Sequence, residues 1–411
     1  MPNEESKKYD VAIIGAGPAG ALAAKLLRDS KLSVAIVEAA NFPRFSIGES
    51  LLPNSLNILE NAAMLEDVEL AGFQFKNGAV FERATEKRSI DFRENYDSGW
   101  GTALQVQRAT FDQILANSAE KAGADIFYNQ RVTEADLKLE NCQLVCQDQN
   151  GKPTTIRSRF VLDASGYGRV LSKLLKLETP SDLSDKSVLF THVKDNINTD
   201  LFDRNKILIS VHPTQQTLWY WLIPFSDGTS SVGVVYDQQD VKQDELNGED
   251  LFNKLLADVP AGEILKDAER IRPISNIQGY SCNVRQLYGD GYALLGNAAE
   301  FLDPIFSSGV TIAFKSAEMA VPQVIKQLAG QPHDWEGEFA QPLKAGVDVF
   351  REFVNFWYAG RLQNVVLRYP DTSNDLTRMM ISILSGYVWN KENLLVKNPK
   401  RYLNLLEELC A

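Results

Sequence analysis

The run Gly15-Ala16-Gly17-Pro18-Ala19-Gly20 stands between an apolar stretch, Val11-Ala12-Ile13-Ile14, and an alanine- and leucine-rich segment reaching Arg28. The first stretch has the length and composition of a buried strand, and the segment from Pro18 to Arg28 that of a helix. A second apolar run, Ser33 to Val37, ends at Glu38. A strand–helix–strand unit of about 30 residues, with three glycines in its turn and an acid closing the second strand, is built to hold a dinucleotide. The first glycine permits the tight turn, the second lets the backbone approach a pyrophosphate, and the third lets helix and strand close on each other. The free amides of the helix start face the anion. Gly15, Ala16, Gly17, Pro18, Ala19 and Gly20 are therefore cofactor-binding candidates. Glu38 is placed to accept from the adenosine ribose hydroxyls, and its charge argues against a 2′-phosphate.

Composition limits the rest. At about 150 residues per domain, 411 residues make two to three domains. Apolar residues at 44% and charged residues at 23% are ordinary for a globular chain. A net charge of −12 argues against a nucleic-acid partner, whose affinity comes from clustered Lys and Arg. No uncharged apolar run approaches the ~18 residues of a membrane span, and Met1 to Lys8 lacks the apolar stretch of a secretion signal. The expectation is a soluble, cytoplasmic protein. Cys142 and Cys146 share one face of a strand pattern while Cys282 and Cys410 stand alone, so all four read as structural thiols. With His192, His212 and His333 scattered along the chain, neither a metal centre nor a Ser-His-Asp triad is expected.

A helical pattern from Ala109 to Lys121 stops at Gly123, and short alternating runs lead to an apolar strand ending at Asp163. From Lys206 to Tyr236 the period becomes two, with strands at 207–211, 217–223 and 230–236 separated by turns. This predicts an antiparallel meander inserted into the first domain. A buried strand near Tyr292 to Leu295 runs into a Gly/Ser loop and a helix near Val310 to Met319, and the chain after Pro322 is largely helical. The predicted fold is α/β (α+β overall). A Rossmann-like domain is assembled from 1–80, 100–180 and 275–330, an antiparallel-sheet domain from 81–99 and 181–274, and a helical region from 331–411. Phe350, Phe353, Val354 and Trp357 form one helical stripe, read as core packing rather than a roof over a site; Tyr358 lies beside it.

Two further stretches, Leu162-Asp163-Ala164-Ser165-Gly166 and Leu295-Gly296-Asn297-Ala298-Ala299, close apolar strands with a polar group and small residues. With Gly15 to Gly20 they resemble the three-part signature of the two-domain FAD-dependent hydroxylase and halogenase superfamily, over residues 9 to 310. The resemblance implies bound FAD, with Asp163 and Asn297 among its contacts; Asn297 stands where the superfamily usually has an aspartate. Arg108 matches the superfamily's FAD-binding arginine before a helix. Phe42 to Pro53 is similar to the segment that flavin-dependent halogenases set beside the isoalloxazine ring, which adds Arg44, Ile47 and Gly48. Trp219-Tyr220-Trp221-Leu222-Ile223-Pro224 fits their W-x-W-x-I-P motif, with Leu218 where glycine often precedes it. Phe301 to Val310 resembles their halide loop. There Pro304, Gly309 and Val310 are expected against the flavin, and Ser308 and Gly309 around the halide.

The resemblance to the phenol- and pyrrole-type branch implies halogenation through a flavin hydroperoxide and hypohalous acid. The substrate would be a small electron-rich aromatic, free or carrier-tethered. Successive N–H groups in a Gly/Ser loop at a helix start form an anion nest suited to a halide. Lys76, in Lys76-Asn77-Gly78-Ala79-Val80-Phe81, matches the lysine that captures the oxidant, and its aromatic surroundings offer a reason for a lowered pKa. Trp219, Trp221 and Phe306 are expected in the substrate cavity. Phe306 occupies the place of the glutamate that tryptophan halogenases carry, so free tryptophan is not the expected substrate. No second glycine fingerprint is present, which leaves a separate flavin reductase or NAD(P)H as electron source. The alternatives are an FAD-dependent monooxygenase or a geranylgeranyl-reductase-like dehydrogenase, neither of which needs Lys76 or the two tryptophans, and a flavin-holding protein without turnover.

Overall fold

The computed structural model describes residues 8–197, 202–237, 248–257, 259–368 and 374–410. Five strands form a parallel core in the order Tyr292–Leu294, Pro153–Asp163, Lys8–Ile14, Val34–Val37, Asp125–Phe127. Val11, Ala12 and Ile13 are fully buried, as befits a strand covered on both faces. Helix Pro18–Asp29 follows the first strand and packs against helices Arg108–Lys121 and Gly309–Leu328. Strands Arg131–Asp136 and Cys142–Gln147 extend this sheet antiparallel. Cys142 and Cys146 lie buried on one of its faces, and the four cysteine thiols are unpaired.

The second sheet has the order Glu269–Arg270, Lys186–Lys194, Thr229–Asp237, Trp219–Pro224, Lys206–Val211, Gly78–Arg83, Glu86–Asp91. Its strands bury both faces in alternation. Trp219, Trp221 and Ile223 join Ile207 and Ile209 in the main core, while Tyr220, Leu222 and Leu208 pack toward helix Gly248–Ala257 with Leu251 and Phe252. The meander of Lys206–Val211, Trp219–Pro224 and Thr229–Asp237 is antiparallel, as its period predicts. The sheet as a whole is mixed, because Lys206–Val211 pairs in parallel with Gly78–Arg83. Residues 78–80 thus belong to this sheet and not to the first. We propose the two-domain division along these lines, with its first boundary moved back to Gly78.

Helix Gly309–Leu328 carries Pro322 in its interior instead of ending before it. Helices Gln341–Tyr358, Arg361–Arg368, Asp375–Leu384, Leu394–Lys397 and Pro399–Leu409 complete the chain. Among the described residues no helix is long and apolar enough to cross a membrane.

Candidate active site

The glycine turn shows why it needs glycines. Gly15 has φ +96°, and a Cβ on Gly20 would lie 1.9 Å from the Gly15 carbonyl oxygen, so any larger residue there forces the helix off the strand. Gly17 is different: its nearest neighbour is an Arg44 guanidinium nitrogen, 3.4 Å from a built Cβ, and the residue lines an open cleft. Glu38 is buried at the end of the second strand. It accepts from the amides of Ala16 (2.9 Å) and Ala40 (3.0 Å), with Arg44 Nε at 3.5 Å.

The cleft, about 630 Å³, lies where the parallel sheet, the segment Arg44–Ser50 and the second sheet converge. Gly15, Gly17, Pro18, Ala19, Glu38, Arg44, Ile47, Gly48, Arg108, Asn297, Pro304, Ser308, Gly309, Val310, Trp219 and Trp221 all line it. Residues as distant in sequence as Gly15 and Val310 are thus brought to one cleft. Arg108 is braced by Asp112 at 2.7 Å and donates to the Ile47 carbonyl at 2.6 Å, fixing the segment that bends over the cleft. Arg44 shares Asp112 at 3.1 Å and stacks over Phe42.

Five expected residues lie outside the lining. Ala16 and Gly20 act through the turn's backbone. Asp163 is not in the cleft lining, and its buried carboxylate accepts from the amides of Ser165 (2.9 Å) and Leu171 (2.6 Å). Phe306 is also outside the lining. Its ring sits edge-on to Phe353 and Trp357, so it joins the core of the C-terminal helix and not the cavity. Phe350, Phe353 and Trp357 are core residues, as their stripe implies. Lys76 stands one side chain behind the wall. Fully buried, its ammonium donates to Ser50 Oγ at 2.7 Å and to the Leu51 carbonyl at 2.9 Å, and Ser50 itself lines the cleft. Burial without an acidic partner pulls its pKa down to about 7.

Helix Gly309–Leu328 begins at the cleft behind Ser307, whose φ is +54°. The first four amides of a helix have no intrahelical acceptor, so they offer an anion their N–H groups. Before that turn stands Asp303, buried and lining the cleft. It accepts from the Ile305 amide (3.0 Å), Tyr280 (3.1 Å) and Tyr358 (2.9 Å), and burial pushes its pKa up to about 6. Trp219 Nε1 donates to Tyr358 at 3.0 Å, tying the indole wall to the loop. Sequence reasoning missed Asp303, Tyr280 and the hydroxyl role of Tyr358; only the Asp-Pro pair hinted at a capped turn. Gln130 was also missed. It lines the cleft as Glu38 does, and its buried Oε1 has no partner. Among the described residues no group of three His, Cys, Asp or Glu can hold a metal.

A glycine cradle open to the cleft, an acid at the second strand's end and an unpartnered amide oxygen beside it fit a dinucleotide. Set against the second sheet, they define a flavoprotein. Residues 8–335 match the FAD binding domain family. A 1H-pyrrole-2-carbonyl-(peptidyl-carrier protein) chlorinase of Pseudomonas fluorescens is 28% identical, covering 96% of this chain and 92% of its own. The corresponding brominase of Pseudoalteromonas luteoviolacea is 29% identical over 98% of each. Among solved structures, a flavoprotein/dehydrogenase from Cytophaga hutchinsonii superposes with a TM-score of 0.92 at 38% identity, covering 98% of this chain and 99% of its own. The chain belongs to the FAD binding domain family, and flavin-dependent halogenases are among the proteins it resembles along nearly its whole length.

Proposed function

We propose that this chain halogenates an electron-rich aromatic of phenol or pyrrole type, held against Trp219 and Trp221 and presented toward Lys76. One observation carries the reading: a fully buried amine with no acidic partner, hydrogen-bonded to Ser50, which lines the cleft. FAD bound in the cleft supplies, once reduced, the oxygen-activating chemistry. Gly15, Gly17, Glu38, Arg44, Arg108 and Asn297 hold and orient it. The amides at Ser308 and Gly309 hold the halide. With its pKa near 7, part of the Lys76 population is the free amine at neutral pH. Its lone pair takes halogen from hypohalous acid: the N–X bond forms, the O–X bond breaks, and the amine's proton leaves with the hydroxide as water. The aromatic then takes the halogen, and the ring proton departs.

The pyrrole-2-carbonyl substrates named for both relatives are attached to a carrier protein, which supports a carrier-tethered aromatic here. Electrons come from a separate reductase or from NAD(P)H, and the reaction belongs in the cytoplasm, where NAD(P)H is regenerated.

The test supplies the protein with a flavin reductase, NADH, oxygen and bromide, and a panel of phenols and pyrroles free and carrier-bound. Brominated product is expected, and its loss in Lys76→Ala with flavin still bound. Hydroxylated product independent of halide would overturn the reading. A second reading, dehydrogenation without halogenation, draws on the description of the 38% identical Cytophaga flavoprotein. Substrate-dependent flavin reduction without oxygen would favour it.

A further inference from the structure

Three carboxylates line the cleft: Glu38, Glu49 and Asp303. Both oxygens of Glu38 are taken by the Ala16 and Ala40 amides, and both of Asp303 by the Ile305 amide and two tyrosines. Glu49 differs. It is 1% exposed, its Oε1 meets His192 Nε2 at 2.7 Å, and its Oε2 is buried with no partner. A buried carboxylate oxygen left without a donor is costly, and in a cleft wall it marks where a ligand's donor belongs.

The surroundings narrow the donor. On the sheet side the wall is Ile207, Ile209, Trp219, Trp221 and Ile223, all apolar apart from the indole nitrogens. Both of those are spent: Trp219 donates to Tyr358, and Trp221 donates to Ser231 at 3.1 Å. Among the described residues that line the cleft, the buried side-chain oxygens without a partner are Gln130 Oε1, beside Glu38 at the glycine cradle, and Glu49 Oε2. The acid is also well fixed. Its carbonyl accepts from Val106 at 2.7 Å, Arg108 clamps Ile47 and Gly48 just before it, and His192 is packed edge-on against Phe45 and Phe225. The next residue, Ser50, holds Lys76.

We propose that Glu49 Oε2 accepts the ring N–H or O–H of the aromatic substrate, with His192 fixing the other oxygen, and so sets which ring carbon faces Lys76. A carboxylate on that donor also steadies the positive charge that develops as the ring is attacked. The assignment deepens the halogenase reading and rests on it for the substrate class. It supplies the cleft with an acid that the Phe306 position lacks.

The test measures binding to the oxidised holoenzyme without halide or reductant, so that failure to halogenate leaves it readable. Probes are pyrrole-2-carboxamide against thiophene-2-carboxamide, and phenol against toluene, followed by perturbation of the flavin absorbance. The protein is expected to prefer each donor-bearing probe about tenfold, and Glu49→Leu to bring both ratios to about one with FAD affinity unchanged. His192→Phe is expected to narrow the preference and to scatter the position of bromination among ring carbons. An unchanged preference in folded, flavin-bound Glu49→Leu overturns the proposal. So does a selective loss of FAD affinity, which would assign the oxygen to the cofactor. If Glu49→Leu does not fold, Glu49→Gln serves: an intact tenfold preference there, with its neutral acceptor, would remove the case for the charge.

Discussion

Lys76 and Ser50 meet at 2.7 Å, the first fully buried and the second on the cleft wall. A lysine in such a place is held by geometry against its own solvation. Removing it is expected to cut halogenation on the order of 10²-fold or more, the usual span for a proton-transferring or nucleophilic group. Lys76→Arg should not restore activity, because a guanidinium stays protonated. Product formation in Lys76→Ala and Lys76→Arg, with FAD content measured alongside, checks this.

The same burial has a stability consequence. The folded amine has a pKa near 7 and the unfolded one near 10.5, so the unfolded chain binds more protons between these values. Stability attributable to this residue therefore rises with pH across that window, and the cost of burying the charge is full below pH 7. Lys76→Met is expected to gain most in stability, relative to the parent, below pH 7. The gain should shrink toward pH 10, as read by urea unfolding over a pH series.

Two glycines of one turn should fail in different ways. Gly20→Ala drives a methyl into the Gly15 carbonyl and is expected to cost about 1–3 kcal/mol or more, the range for overpacking. Gly17→Ala meets only the end of Arg44 and projects into the cleft, so it should leave the thermal midpoint nearly unchanged while weakening FAD binding. Thermal melts of the apo form and flavin titrations separate the two.

Tyr358 joins Trp219 to Asp303, and Tyr358→Phe strips one donor from a buried carboxylate. A loss of about 1.5–3 kcal/mol is expected, with a shift in tryptophan emission as the Trp219 indole loses its acceptor. Asp303 itself titrates near 6 when folded against 3.8 when unfolded, so the folded state binds more protons between those values and stability falls as pH rises through them. Asp303→Asn should compare best with the parent above pH 6 and lose that advantage toward pH 4.

Gly233 faces Trp221 across two paired strands, and a Cβ there would lie 2.2 Å from the indole. Gly233→Ala is expected to push Trp221 toward the cleft and to raise KM for two-ring aromatics more than for phenol. Equal effects on both would remove Trp221 from the substrate wall.

Much of the scaffold was legible because it depends on local periodicity. The opening strand–helix–strand unit and the meander follow from patterns within about 30 residues, and the stripe Phe350/Phe353/Trp357 from spacing within eight. Alternation put Trp219 and Trp221 on one face, and the structure has both in the core and both on the cleft wall. Phe306 escaped because a position in a motif does not give the rotamer; three aromatic rings compete for that space, and packing against Phe353 and Trp357 prevails. Asp163 escaped because an acid after a strand serves equally well as a local amide cap.

By itself the chain determined the dinucleotide cradle, since a turn in which a Cβ on Gly20 would lie 1.9 Å from the Gly15 carbonyl oxygen admits no side chain and must be written as glycine. What only the tertiary structure decided is how the distant polar groups are paired. Glu49 with His192, 143 residues apart, and Trp219 with Tyr358, 139 apart, carry no mutual signal in spacing. A buried hydrogen-bonding group takes whatever partner the packed elements bring within reach. Which oxygen remains free is settled only when every other partner is in place.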